Sequence, residues 1–549
     1  DNDFLSHDFD ADEIGKVIDS LKVRKSPGFD GLPAEIYKFF KEIFVLLFRR
    51  LLQNIERVGS LPKSMYFGVI SQIYKGKGDK ADRENWRPIT LLNSDYKIIA
   101  KLIFNRLKVV SQKVIDTDQS CSIPGRNIRH GIFTIFSVLD KMNRDRESGI
   151  LVSVDQKTAF DLVNWDFLFK TLQSFQINDR FFNWIKLFYK PGLVKSTVMV
   201  NGFLCKPFCI FKGLRQGCPL SPLLYIFVAE TFCNLVRSDP NIKGVSLGTE
   251  IKLNCYADDI NFFLSDLKSL QKIFELLNVF SKASGSILNF GKTRILRIGN
   301  FGKLPENFIT REVDKIKIYG ITFNKTGFDH KSSFLQSEES IHKLNSILVH
   351  RQFSLESRSI FINTYFLSKF WHCASFIFPK EDLIDFSNKA ITRFLWYPSR
   401  KPKMKSLICQ NSKINGGFGA PNILLKIKAF RLMFLINLHN YSNLKCFSYF
   451  CRRLDTVRNK RIVSHANFFG EIIQAEKSVN MKIDKENISI LGHNFQRQKL
   501  STKIVYNTIL EKDSNRFLTR NKNMWKIFCK IKFQLFGQTI FLNLQMAKR

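Results

Sequence analysis

Hydrophobic positions along the chain switch between two periods. From Ile14 to Leu51 apolar residues recur at helix spacing, broken by KSPGFDGLP (25–33), a loop by its Pro and Gly content. Phe67–Tyr74 reads as a strand leading into KGKGDKADREN (75–85), a basic loop. After Ser94, the positions Ile98, Ile99, Leu102, Ile103 and Leu107 share one helical face. Ile150, Leu151, Val152 and Val154 form a short apolar run ending at Asp155, the pattern of a buried strand, and Thr158–Phe169 turns helical. Leu220–Val236 is apolar and helical behind the turn-rich GLRQGCP (213–219). LNCYADDINFFL (253–264) reads as strand, tight turn, strand, with Ala257, Asp258 and Asp259 at the tip. Strand-like and helical segments alternate to about residue 325, and the pattern beyond is mostly helical. No repeat at solenoid periods is present.

At 549 residues the chain is too long for one core, so two to four structural units are expected. Lys and Arg number 85 against 48 Asp and Glu, a net charge of +37. Such an excess repels itself in a compact globule and is tolerated best beside a polyanion, nucleic acid first and an anionic membrane surface second. The stretch 451–549 is basic throughout, with 20 Lys and Arg against 7 Asp and Glu. No run of 18 apolar residues is present, so no membrane-spanning helix is expected. The first fourteen residues carry six acids and no Lys or Arg, which speaks against a signal peptide. Eleven Cys without regular spacing suit reduced thiols in an intracellular setting, nucleus or cytoplasm. Cys446, Cys451 and His465 are too loosely spaced for a convincing zinc knuckle.

The chemistry concentrates in carboxylates. Asp258 and Asp259 sit side by side in an apolar stretch, where unpaired charge is costly. Alone they suit an ordinary acidic surface turn equally well. Asp155, at the end of a buried strand, changes the picture: if that strand lies beside the 253–264 hairpin, three carboxylates meet and repel unless divalent cations hold them. Two metals about 3.5–4 Å apart are the standard device for nucleotidyl transfer.

YADD, SVDQKTAFDLVNW (153–165), GLRQGCPLSPLLYIFVAE (213–230) and NWRPITLLNSDYKIIAKLIFNRL (85–107) together resemble, in order and spacing, the reverse transcriptases of non-LTR (long interspersed) retrotransposons. The resemblance runs from about residue 10 to about 430 and takes in KSPGFDGLPAEIYKFF near the start and GGFGAPN (416–422) late. It implies an α+β right-hand polymerase: an N-terminal fingers extension over 1–60, fingers and an antiparallel-sheet palm over 61–325, a helical thumb over 326–430, and a basic, mainly helical nucleic-acid-binding region over 431–549. The implied activity is RNA-directed DNA polymerisation, adding deoxynucleotides to a primer 3′-OH at a target site. The partners would be an RNA template, a DNA primer or target DNA, and dNTPs, with no membrane.

Carried onto matching positions, the resemblance makes Asp155, Asp258 and Asp259 the catalytic ligands of two Mg²⁺, with Mn²⁺ a substitute. Backbone amides at Thr158 and Ala159 would hold the triphosphate, and Phe160 would lie under the sugar. Gln216 and Gly217 would pack beside nucleotide and template, Lys75 and Arg87 would grip β- and γ-phosphates, and Lys292 in NFGKT would protonate pyrophosphate. Arg126 and Arg215 would touch nucleic acid, and Tyr319 and Gly320 in KIYGI would form the primer grip. Asp161 reads as a helix cap, Trp165 and His372 as packed side chains. The chain departs from the family in carrying Thr158 where Lys is usual and Ile318-Tyr319-Gly320 where Tyr-Leu-Gly is frequent. Two alternatives stand beside the polymerase: a group II intron maturase-like enzyme, and a retired copy that binds RNA without polymerising. An RNA-copying RNA polymerase fits less well, because Phe160 would obstruct a 2′-hydroxyl.

Overall fold

The apolar run before Asp155 is buried as its pattern requires. Ile150, Leu151, Val152 and Val154 are each at most 1% exposed, and such burial contributes about 1.5–3 kcal/mol per large side chain before entropy is charged against it. These residues form the second-from-edge strand of a four-stranded antiparallel sheet in a computed structural model of the chain. The structure describes residues 2–510 except 77, 310, 344–352, 400, 405, 412–416, 439–441, 443, 460–467, 480, 484–486, 491–492 and 497–499. His465 and the basic stretch from residue 511 onward lie outside the described residues.

The described chain is a mixture of helix and sheet, as expected, and divides into two compact units. The first comprises Asp1–Ile316 with Leu444–Cys446, the second Lys317–Asn443 with the residues from Phe447 onward. The strands of the first unit, in chain order, are β1 (Phe67–Tyr74), β2 (Trp86–Leu91), β3 (Gly149–Val154), β4 (Gln156–Lys157), β5 (Lys195–Val200), β6 (Phe203–Leu204) and β7 (Phe208–Cys209). There follow β8 (Val245–Ser246), β9 (Glu250–Ile251), β10 (Leu253–Tyr256), β11 (Asp259–Leu264), β12 (Ile287–Leu288) and β13 (Arg294–Ile298). One sheet has the order β2-β1-β5-β6, with β7 also on β5; β1 and β5 are parallel and the other pairs antiparallel. The sheet holding the carboxylates has the order β10-β11-β3-β13. Helix Ser221–Ser238, almost wholly apolar and buried, belongs to the same hydrophobic core as β3, β10 and β11.

Three local differences from the sequence pattern have physical causes. The helical stretch expected over 158–169 is two helices, Ala159–Leu162 and Trp165–Ser174, because the Asn164 side chain accepts from the amides of Asp166 and Phe167 and starts a new helix. The 253–264 turn has two residues, Ala257 and Asp258, rather than three, since Asp259 already pairs with Tyr256. At the start of the second unit, β14 (Lys315–Ile318, whose first two residues belong to the first unit), β15 (Ile321–Asn324) and β16 (Gly327–Phe328) make a small sheet, and a three-stranded antiparallel sheet of Lys482–Ile483, Asn487–Ile490 and His493–Gln496 interrupts a segment read as helical. That unit buries Arg431 completely: its guanidinium donates to Glu471 and to the carbonyls of Ala374 and Ser375.

Candidate active site

Register brings the acidic residues together. Val154 pairs with Ile260, so one step further Asp155 leaves β3 at the level of Asp259 on β11. Asp258 is the second residue of the β10–β11 turn, behind Ala257, which holds φ 55. A non-glycine residue in the left-handed region costs about 1–3 kcal/mol and persists only where its surroundings fix it. The fixing group is Gln119, whose Oε1 accepts from the Ala257 amide at 3.1 Å. Residues 118–120 run beside β10: the Cys255 amide donates to the Asp118 carbonyl and the Ser120 amide to the Cys255 carbonyl.

Arg126 braces that segment. Its guanidinium donates to the carbonyls of Ile115, Asp116 and Gln119, so in this structure it works as a loop anchor facing inward. Arg215 is likewise turned inward. It is 7% exposed, donates to the carbonyls of Tyr66 and Lys195, and lies over the Tyr96 ring, which leaves no exposed guanidinium for a template strand. Both residues support the site's frame, a role that sequence spacing does not distinguish from nucleic-acid contact.

Asp155 is held by the turn after β12. Its Oδ2 accepts from Asn289 Nδ2 at 2.9 Å and lies 3.2 Å from Lys292 Nζ, while the Asn289 amide donates to the Asp155 carbonyl. Burial raises the Asp258 carboxyl above its usual range, Asp155 adds to the rise, and Lys292 opposes it. Asp259 is pushed up to about 6 by burial, then by Asp258 and Asp155, again against Lys292. Asp259 is exposed at the tip, where the two neighbouring like charges oppose its ionisation. Among the described residues no three His, Cys, Asp or Glu converge into a ready-made ion site. The donor chemistry nonetheless fits a hard divalent cation: carboxylate oxygens, mutually repelling, with only lysine and amide groups opposing them.

Around the carboxylates stand the other expected residues. Thr158 has φ 43 and precedes helix Ala159–Leu162. The Phe160 ring stacks on Tyr225, centroids 4.8 Å apart and planes at 23°, and the Tyr225 hydroxyl donates to Gln156 Oε1 at 2.9 Å. Gln216 Nε2 donates to both carboxylate oxygens of Asp161, at 3.1 and 3.2 Å, and the Gln216 carbonyl accepts from the Thr90 amide. Asp161 therefore positions Gln216 and is not a cap for its helix; burial raises its carboxyl, with Gln216 and Lys75 opposing. Gly217 holds φ 123, and a Cβ there would come 2.4 Å from the Thr90 carbonyl oxygen, so only glycine fits. Gly217→Ala is expected to lower stability by at least about 1–3 kcal/mol, read as a lower midpoint in urea with an unchanged slope.

Lys75 and Arg87 are exposed on one side of β1–β2. Ile73 pairs with Arg87, and the Lys75 amide donates to the Asn85 carbonyl. Lys75 Nζ also donates to the Glu84 carbonyl. In the second unit Tyr319 (φ 52) and Gly320 (φ 81) form the β14–β15 turn, and His372 Nε2 lies 2.8 Å from the Tyr319 carbonyl oxygen. His372 is thus a packed histidine that fixes this turn. Sequence reading passed over Gln119, Gln156, Tyr225 and Asn289. Only Asn289 carried a signal, by standing in NFGKT beside Lys292; the others are polar groups inside apolar or loop patterns that gain meaning from packing.

Residues 75–323 match the protein family described as reverse transcriptase (RNA-dependent DNA polymerase). The "Transposon TX1 uncharacterized 149 kDa protein" of Xenopus laevis is 32% identical over 432 residues, covering 77% of this chain and 32% of that protein. The "Probable RNA-directed DNA polymerase from transposon BS" of Drosophila melanogaster is 28% identical over 267 residues, 46% of this chain and 28% of its own length. The chain thus spans about a third of the length of these curated relatives. Among solved structures, telomerase from Candida Tropicalis in complex with a TWJ fragment of telomeric RNA aligns over 78% of this chain and 68% of its own, at 13% identity and a TM-score of 0.39. Among the described residues, no helix is long and apolar enough to cross a membrane.

Proposed function

We propose that this chain, which belongs to the reverse transcriptases of non-LTR retrotransposons, is an RNA-directed DNA polymerase that extends a primer 3′-OH with deoxynucleotides along an RNA template. The observation that carries the reading is the meeting of Asp155 with Asp258 and Asp259 at adjoining strand ends, beside Phe160 and Gln216. Asp155, Asp258 and Asp259 would hold two Mg²⁺, which when bound acidify the primer hydroxyl and offset charge on the leaving pyrophosphate.

The chain's own residues do the rest. The Gln119–Ala257 bond and the Arg126 brace keep the acidic turn in place, so binding does not have to order it. Lys292 opposes the charge of Asp155; where bound cations took over that task, it would be free to face the pyrophosphate and give it a proton. Lys75 and Arg87 would take the outer phosphates, a task suited to their charge. Amides at Thr158 and Ala159 would hold the triphosphate, and Tyr319 and Gly320 the primer. The subdivision into fingers, palm and thumb at 60, 325 and 430, with a basic region beyond, belongs to the same proposal.

Incorporation of dTTP on poly(rA) primed with oligo(dT) in Mg²⁺ tests the reading, and a folded chain that incorporates nothing in Mg²⁺ or Mn²⁺ overturns it. The basic end bears on template affinity. Part of the 451–549 stretch packs into a core with residues 425–436, through Ala475, Val479, Ile490, Val505, Ile509 and Leu510, so a deletion that spares this core begins after Leu510. Residues 511–549 hold nine Lys and Arg against two Asp and Glu. Deleting them is expected to weaken RNA binding and flatten the slope of log K against log salt, since fewer counterions are released. Turnover on saturating primer-template should change little, and an unchanged slope would show that this segment does not touch nucleic acid.

A further inference from the structure

The β2-β1-β5-β6 sheet has a side that the proposed chemistry leaves unused. Lys75 and Arg87 project from one side. Alternation sends Ile70, Gln72 and Tyr74 to the other. Tyr74 pairs with Trp86, and Ile70 with Val198, so Ser196, Val198 and Val200 share this second side. Across the edge of β5, Val200 pairs with Phe203 and Ser196 with Phe208, which puts both phenylalanines there as well. Phe203 is 81% exposed and Phe208 45%. Ser196 and Val200 are four residues apart, so the two rings are separated by about 13 Å along β5.

The segment that carries both rings has charge of one sign. No Asp or Glu stands between Asp179 and Glu230 in the sequence, whereas Lys206 and Lys212, next to Phe203 and Phe208 in the chain, are exposed. Exposed rings spaced along a basic segment without acids match a strand that offers bases and phosphates together. The edge is a poor acceptor for another protein's strand, because Lys206 and Pro207 interrupt it between β6 and β7 and proline has no N–H to donate.

We propose that this side of the sheet is a stacking platform for single-stranded RNA, distinct from the nucleotide site on the opposite side. Bases lie on Phe203 and Phe208, and Lys206 and Lys212 meet the phosphates. The inference rests on the reading that the chain handles RNA, but it does not require catalysis.

The test uses the full chain and a short fluorescent oligo(U) with no primer. Replacing both phenylalanines, Phe203→Ala with Phe208→Ala, is expected to weaken binding about tenfold or more. The slope of log K against log salt should stay the same, since no charge is removed, and the melting temperature should hold because both rings are exposed. Lys206→Gln with Lys212→Gln should flatten that slope instead. Primer extension at saturating primer-template should be unaffected by the phenylalanine pair. If the wild-type chain binds oligo(U) through these rings yet never extends a primer, the polymerase reading falls and the platform stands. Binding of oligo(U) by the double variant at wild-type strength overturns the platform, and so does a loss confined to anionic phosphatidylserine vesicles.

Discussion

Asp258→Asn is expected to abolish primer extension, by about a thousandfold or more, while the chain stays folded and still binds RNA. The carboxylate sits in a turn fixed from behind by Gln119 and faces Asp155 and Asp259, so its loss would remove a proposed cation ligand without removing packing. Metal-held charge stabilisation amounts to several kcal/mol, and each 1.36 kcal/mol is a factor of ten in rate. Stability should move the other way. Asp258 and Asp259 both have folded-state pKa values raised above the usual carboxylate range. A raised carboxyl weakens the fold progressively as pH climbs from the usual carboxylate value to the raised one, and fully above it, because the unfolded chain gives up the proton more readily. Without divalent cations, Asp258→Asn should therefore be as stable as wild type or more so at pH 7.5, and the gain should fade by about pH 4. A urea titration at the two pH values reads this directly. Near-normal extension by a folded Asp258→Asn chain would remove the acidic turn from the mechanism.

Phe160→Val is expected to admit ribonucleotides about 10- to 200-fold better relative to deoxynucleotides, at least the range that one methylene's difference in a pocket produces. The ring leaves the strand end that carries Asp155 and is backed by Tyr225, so it cannot swing away from an incoming 2′-hydroxyl without breaking the stack. A site that excludes by collision discriminates more strongly than one that merely lacks a contact. Use of deoxynucleotides should decline only modestly. Tyr225→Phe keeps the ring and should preserve sugar choice, while leaving Gln156 Oε1 without its donor at a cost of about 1–3 kcal/mol in stability. Measuring kcat/KM for dCTP and CTP on one primer-template separates these variants. An unchanged ratio in active Phe160→Val would falsify the gate.

Much of the site was legible in the sequence because its chemistry sits where periodicity breaks. The apolar run 150–154 ends at Asp155, and the alternation of 253–264 is interrupted by Asp258, so both acids stood out before any pairing was known. Their juxtaposition required β3 to pair with β11, a long-range choice that local pattern does not encode. The inward arginines were not legible for a related reason. Arg126 and Arg215 stand in turn-rich segments where exposure is the ordinary expectation, and only the fold shows carbonyl oxygens converging on each guanidinium. Asp161 is a third case: its position suits a cap, yet the turn at Gly217 carries Gln216 back to it. The sheet over 482–496 was hidden because its strands are two to four residues long, shorter than any window in which a period can be counted.

The central claim is that Asp155, Asp258 and Asp259 together make an RNA-copying polymerase site. The most direct measurement is single-turnover extension of oligo(dT) on poly(rA), with wild type and Asp155→Asn side by side across a Mg²⁺ titration. The account predicts wild-type extension that rises with Mg²⁺ and stops with chelator, and no extension by Asp155→Asn at any Mg²⁺ concentration. Equal extension by the two proteins, or wild-type extension that persists in chelator, would contradict it.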